Sequence, residues 1–344
     1  MPSFLPEPQH SQDNPARIGV LLVNLGTPEA PTPAAVRRYL RQFLSDPRVI
    51  EIPRLLWWPI LNGIILPFRS RASAAKYASI WLKEGSPLRH YTELQTKLLR
   101  GYFTAAGQAD IQVEYAMRYG EPAVQSALMR LKAAHCTRVL VLPLYPQYAG
   151  STTGSVCDAV AQAMLCIRNL PELRIVRSFP GHPAYIQALA ASVRRAWAQD
   201  GEPERLVMSF HGLPRATIER GDPYHRECLQ TGRLLAEALG LDETRYLVTF
   251  QSRFGRTEWL QPYTEPSLVA LARQGVSRVD VICPGFVSDC IETLEEIALE
   301  AKTAFLNAGG KSFHYLPCLN GDDGFIRLLR ELANSHMQDW LVSP

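Results

Sequence analysis

The chain has 344 residues, 47% apolar and 20% charged, and its 36 Lys and Arg against 33 Asp and Glu leave a net charge of +3. That length suits two domains with cores large enough to stand without disulfides, and the composition excludes collagen, coiled coil and global disorder. So small a basic excess gives no footprint for a nucleic-acid partner. The seven cysteines are scattered without a C-x-x-C pair, which fits a reducing compartment and removes the zinc-ribbon and thioredoxin spacings.

The chain opens MPSFLPEPQHSQDNPAR, with Pro2, Pro6, Pro8 and Pro15 and no apolar stretch. It reads as a disordered tail over 1–16 and not as a signal peptide, so a cytoplasmic location is expected. Short Val-, Ile- and Leu-rich runs then alternate with helical patterns. The strands predicted from them are 18–25, 113–118, 138–145 and 174–179, followed by 206–211, 246–251, 279–283 and 313–316. Continuous apolar runs separated by helices indicate parallel strands buried on both faces.

Between the first two strands lies LLWWPILNGIILPF at 55–68, interrupted by Pro59, Asn62, Gly63 and Pro67 and flanked by Arg54, Arg69 and Arg71. No apolar run reaches the ~18 residues a membrane span needs. The stretch is either a core segment or an exposed greasy lip over 54–71. Paired Trp beside Arg suits a membrane interface or the mouth of an apolar pocket.

The two sets of strands resemble one another. LLVNLGTP parallels MSFHGLP, EYAMRYGEP parallels TFQSRFGRTEWLQP, and RVLVLPLYPQYAGSTTGSV parallels RVDVICPGFVSDCIETL. The expected fold is therefore α/β: two similar Rossmann-like domains, each a four-stranded parallel sheet flanked by helices. The first covers 17–175 and the second 176–344, with room for the C-terminal segment to pack back on the first. Ligands of open α/β sheets sit at the carboxyl ends of strands. Those ends carry Gly26, Arg118, Tyr145, His211, Ser252 and Pro284, which one active-site cleft between the domains would collect. No GxGxxG follows the first strand, GGKS at 309–312 lacks the earlier glycine of a P-loop because Phe305 stands there, and no GxSxG occurs.

Residues 284–301, PGFVSDCIETLEEIALEA, hold Asp289, Glu292, Glu295, Glu296 and Glu300 and no Lys or Arg. These five acids leave +8 on the rest of the chain. Glu292, Glu296 and Glu300 recur every fourth residue, one helical face drifting about 40° per step. A π turn would align it better, and such turns favour functional sites. Asp289 and Glu292 also fit a capping box with a solvated acidic face. The alternative is a line of carboxylates that passes a divalent cation and holds it weakly enough to release it.

His211 follows LVMSF and precedes Gly-Leu-Pro. A strand-end imidazole is either structural or a proton acceptor and metal ligand. Ser151, Thr152, Thr153 and Ser155 cap a helix or bind an anionic group. Arg118, beside Tyr119, pairs with a carboxylate or stacks structurally, and Trp259 offers a flat pocket wall.

In these motifs together the chain resembles ferrochelatases, the enzymes that insert ferrous iron into a porphyrin. The matching segments are LVNLGTPE (22–29), GSPL (85–88), YAMRYGEP (115–122), LYPQYAGSTTGS (144–155), SFHGLP (209–214), GDPYHREC (221–228), QSRFGRTEWL (251–260) and CPGFVSDCIETLEEI (283–297). The resemblance implies a chelatase-like fold of two similar α/β domains with the porphyrin held between them. It implies a catalytic pair, His211 and Glu292, with Glu296, Glu300 and Asp289 joining them in handling iron. Leu25, Arg118, Tyr119, Tyr145, Ser151 and Trp259 are the implied porphyrin contacts, and the lip the implied peripheral membrane contact. Protoporphyrin IX is the implied macrocycle and Fe2+ a substrate. Many relatives carry Asp-His where this chain has Asp289-Cys290. The last cysteine is Cys318, so no [2Fe–2S] cluster or other cofactor is expected. Alternatives are a coproporphyrin III ferrochelatase, a cobalt or nickel chelatase, a non-catalytic tetrapyrrole carrier and a bilobal small-molecule binder.

Overall fold

The computed structural model describes residues 4–8, 15–255 and 257–341. They divide into two compact units. The first takes the described residues up to Leu144, then Gly150–Ser178, and those from Ile326 on. The second takes Tyr145–Ala149 and Phe179–Phe325.

The sheet of the first unit is built from β1 (Arg17–Gly26), β2 (Ile111–Tyr119), β3 (Cys136–Pro143) and β4 (Glu172–Ile175). Its order is β2-β1-β3-β4 and every pairing is parallel. Val20, Leu21, Leu22 and Val23 are fully buried at its centre, which is why this strand reads as a continuous apolar run and not an alternating one. Proline brings no N–H to a ladder, and β3 ends at Pro143, two residues before the sequence-based bound.

The second unit repeats the plan with β5 (Arg205–His211), β6 (Tyr246–Gln251), β7 (Arg278–Ile282) and β8 (Ser312–Leu316) in the order β6-β5-β7-β8, again all parallel. The internal likeness in sequence is thus a likeness in topology. Tyr145–Ala149 is tied within this unit. Gln147 donates to the Thr231 hydroxyl at 2.9 Å, and the Glu227 carboxylate accepts from the Tyr148 N–H at 2.7 Å.

The helix Asp323–His336 starts in the second unit and runs into the first. Beyond it, Arg174 on β4 holds the Asp339 carboxylate and lies 4.2 Å over the Trp340 ring. The tail expected over 1–16 includes residues 1–3 and 9–14, which lie outside the described residues. Residues 4–8 instead dock on the first unit. The Leu5 N–H donates to Cys166 O at 2.9 Å, and the Glu7 carboxylate pairs with the buried Lys132 amine at 2.6 Å.

The apolar stretch 55–68 is neither wholly core nor wholly lip. It folds as two helical segments, Arg54–Ile60 and Leu66–Ile80, joined by a π turn, Leu61–Ile65. Trp57, Leu61 and Leu66 point inward onto Leu44, and the Trp57 indole N–H donates to the Leu44 carbonyl at 2.7 Å. The step from 61 to 66 is one residue too long for an α-turn. The π turn, closed by the Leu66 N–H on Leu61 O, puts both on one face. The other face leaves Leu55 91% and Phe68 75% exposed, with Trp58 and Ile64 also out. Among the described residues no helix is long and apolar enough to cross a membrane.

Candidate active site in the second unit

His211 is the last residue of β5, paired in register with Gln251, the last of β6. Gly212 follows, its N–H donating to Gln251 O at 2.8 Å. A β-carbon on it would lie 2.8 Å from Gln251 O and 3.2 Å from the Trp259 ring. The half-buried imidazole has Trp259 and Phe286 as ring neighbours, with centroids 6.5 and 6.4 Å away. Its Nδ1 lies 2.6 Å from the Gly212 carbonyl oxygen.

The acidic segment folds as a short helix, Ile291–Leu294, then a π-helix, Glu296–Ala301. The Glu300 N–H donates to Glu295 O at 3.0 Å, a five-residue step. Widening the turn offsets the drift of a fourth-residue repeat, the device expected for this ladder. Glu292 and Glu296 are half-buried and Glu300 is exposed.

Glu296 is gripped by the end of β6. The Ser252 N–H meets its Oε1 at 2.6 Å and the Ser252 hydroxyl its Oε2 at 2.5 Å. The Gln251 amide donates to the Glu292 carbonyl at 2.7 Å. Burial pushes the Glu296 carboxyl above its usual range, although the Ser252 donors and His211 oppose it. Ser252 stood in the sequence only as a strand end. Its role depends on a backbone φ of +64° that no residue pattern announced.

Asp289, expected to help handle iron, is 3% exposed and otherwise occupied. It accepts from Thr293 at 3.0 Å, Asn320 at 2.6 Å and the Cys318 N–H at 3.4 Å, and from the Tyr315 hydroxyl. It ties the start of the acidic helix to β8 and the loop after it. The capping box also shifts by one residue. Cys290 is the N-cap and Thr293 its partner, not Asp289 and Glu292. Burial holds the Cys290 thiol well above its usual range, with Glu292 adding to the effect. Among the described residues no three His, Cys, Asp or Glu converge on a metal-holding point.

Trp259 and the half-buried Tyr145 also belong to the second unit. In the first unit, Leu25 is half-buried near the end of β1 and Ser151 half-buried in a π turn, Gly150–Gly154. The Arg118 guanidinium donates to Asp46 at 2.5 Å and to Ser155 Oγ at 2.6 Å, and lines a cavity of about 260 Å³ with Arg54 and Gln162. Tyr119, expected against the porphyrin, is fully buried, and its hydroxyl is spent on Asp46 at 2.8 Å. The Arg118 guanidinium lies 4.5 Å over its ring.

A family model described as Ferrochelatase matches residues 17–337. A ferrochelatase of Aromatoleum aromaticum is 60% identical over 344 residues, covering 100% of this chain and 94% of that relative. One of an Azoarcus species is 61% identical over 343 residues, with the same shares covered. Among solved structures, SirB from Bacillus subtilis with Fe3+ is 13% identical with a TM-score of 0.55, covering 94% of this chain and 98% of that one. The sirohydrochlorin chelatase SirB from Bacillus subtilis subspecies spizizenii in complex with cobalt is 11% identical with a TM-score of 0.54 and the same coverage. At such identities the likeness concerns the fold.

Proposed function

The chain belongs to the ferrochelatase family, and from that membership we propose that it inserts Fe2+ into protoporphyrin IX to form protohaem in the cytoplasm. Metallation must take both pyrrole protons and expose nitrogen lone pairs to the metal. His211 accepts a proton or meets the metal, Glu292 is its partner, and Glu296 and Glu300 bring iron in. Leu25, Arg118, Ser151, Tyr145 and Trp259 are assigned to the porphyrin. Iron is a substrate that leaves in the product, and no further cofactor is part of the proposal. The exposed face of 54–68, with Arg54, Arg69 and Arg71 beside it, makes peripheral contact with a membrane.

One observation supports the site most directly. The strand-end imidazole of His211 stands beside a strand whose next residue, Ser252, holds the Glu296 carboxylate. A proton acceptor and the start of a carboxylate line thereby share one sheet edge, where ligands of such sheets bind. The test mixes purified protein with anaerobic Fe2+ and either protoporphyrin IX or coproporphyrin III and follows the Soret band. Faster metallation of protoporphyrin supports the proposal. A preference for coproporphyrin changes the substrate, and no metallation of either leaves a tetrapyrrole carrier.

A further inference from the structure

Ser252 is the first residue past β6, and its φ of +64° lies in the left-handed region that serine rarely enters. From that conformation its N–H and hydroxyl point the same way, and each takes one oxygen of Glu296, at 2.6 and 2.5 Å. Glu296 opens the π-helix, so the strand end grips the acidic face where the turn widens.

The grip is built from behind. Gln251 Oε1 accepts from the Ser209 hydroxyl at 2.7 Å, and Ser209 continues at 2.8 Å to Thr264, which reaches Thr249 at 2.9 Å. All four side chains are buried. With its oxygen engaged, the Gln251 amide can only present Nε2 to the helix, at 2.7 Å from Glu292 O and 3.4 Å from Glu296 Oε2. The donors that face Glu296 are therefore set by the core.

We propose that Ser252 is a positioning residue that keeps the Glu296 carboxylate in a two-donor grip, so that a divalent cation reaching Glu296 is held weakly and passed on. This rests on the assignment of Glu296 to the metal route. A carboxylate that accepts a strong hydrogen bond on each oxygen has part of its charge compensated and its rotamer fixed. Chelation through both oxygens requires turning the group out of the grip. A cation that must leave in the product moves faster past such a ligand than past a free one.

The test is Ser252→Gly in the full chain. Glycine takes φ of +64° without strain and keeps the backbone N–H, so the hydroxyl bond alone is lost. Zn2+ titrated calorimetrically into porphyrin-free protein is expected to bind about fivefold to tenfold tighter than to the parent. In steady state KM for the metal and kcat both fall, while KM for porphyrin and the melting temperature stay as in the parent. Unchanged or weaker Zn2+ binding with unchanged kcat overturns the positioning role. Glu296→Gln separates the two levels. If it leaves Zn2+ affinity and metal kinetics untouched, the route assignment falls and the grip with it. If it disturbs them while Ser252→Gly does not, the grip alone falls.

Discussion

The Nδ1 of His211 lies 2.6 Å from the carbonyl oxygen of Gly212. A carbonyl only accepts, so Nδ1 carries the hydrogen, and in the neutral ring the Nε2 lone pair is the one left for a proton or a metal. His211→Ala removes that lone pair and leaves Trp259 and Phe286 as walls. Metallation, followed by the Soret band, is expected to fall by about 10²–10⁴-fold. Porphyrin affinity, read by fluorescence titration, should stay within a few-fold. Turnover near that of the parent would show that another group takes the proton.

Asp289 makes a different prediction because its oxygens are already filled. Asp289→Ala leaves buried donors on Asn320, Tyr315 and Cys318 without this acceptor, while the Thr293 hydroxyl keeps the Cys290 carbonyl at 3.2 Å. The expected loss is about 3 kcal/mol of stability, measured by urea unfolding. KM for the metal in the folded fraction should not change. A large rise in that KM with intact stability would return Asp289 to the metal line.

Strands such as β1, β5 and β7 could be read from the sequence because a strand buried on both faces leaves an unbroken aliphatic run, punctuated by Gly or Pro, whereas β4, Glu172–Ile175, overlaps the expected 174–179 by two residues only, because its exposed and half-buried side chains leave no such run. His211 could be read because it closes such a run. The acidic ladder declared itself by its fourth-residue repeat, and the π turn by the drift that repeat would otherwise have. What stayed hidden depends on partners far along the chain. Asp289 looked like one more ladder acid because its donors Tyr315, Cys318 and Asn320 come 26 to 31 residues later. Tyr119 looked available because Asp46, which takes its hydroxyl, lies more than seventy residues earlier, in the loop after the helix Pro33–Leu44. Ser252 was visible as a strand end, but its donors are aimed by a backbone dihedral, which residue types do not specify.

The exposed face of the 54–68 segment gives a prediction about surfaces. Leu55 and Phe68 project outward while Trp57, Leu61 and Leu66 hold the segment down. The double variant Leu55→Ser, Phe68→Ser should fold as the parent does, since neither side chain is in the core. Co-sedimentation with phosphatidylglycerol vesicles is expected to drop about tenfold or more, given about 25 cal/mol per Å² of apolar surface lost from the contact. Metallation of porphyrin supplied in detergent should be unaffected. Parent-like vesicle binding would assign the lip to some other contact.

Glu7 supplies a prediction about pH. Its Oε2 lies 2.6 Å from the Lys132 amine, whose side chain is 2% exposed, and Lys132 also donates to the Asn169 carbonyl. The other oxygen, Oε1, accepts the backbone N–H of Arg168 at 2.7 Å and of Asn169 at 3.2 Å. The bond from Lys132 above all holds the Glu7 carboxyl below its ordinary value of 4.5, against a smaller push from burial. A carboxylate with a lowered folded-state value stabilises the fold above its unfolded value and loses that contribution as pH falls through the folded one. Glu7→Gln should therefore cost about 2 kcal/mol at pH 7, because a buried ammonium loses its counter-charge. The gap in melting temperature between parent and variant should shrink as pH is lowered below the ordinary carboxylate value, where the parent's Glu7 also becomes neutral. Comparing the two proteins at each pH cancels the other titrating groups. A gap that stays constant from pH 7 into the acid range would mean that Glu7 holds residues 4–8 in place through its backbone contacts and not through its charge.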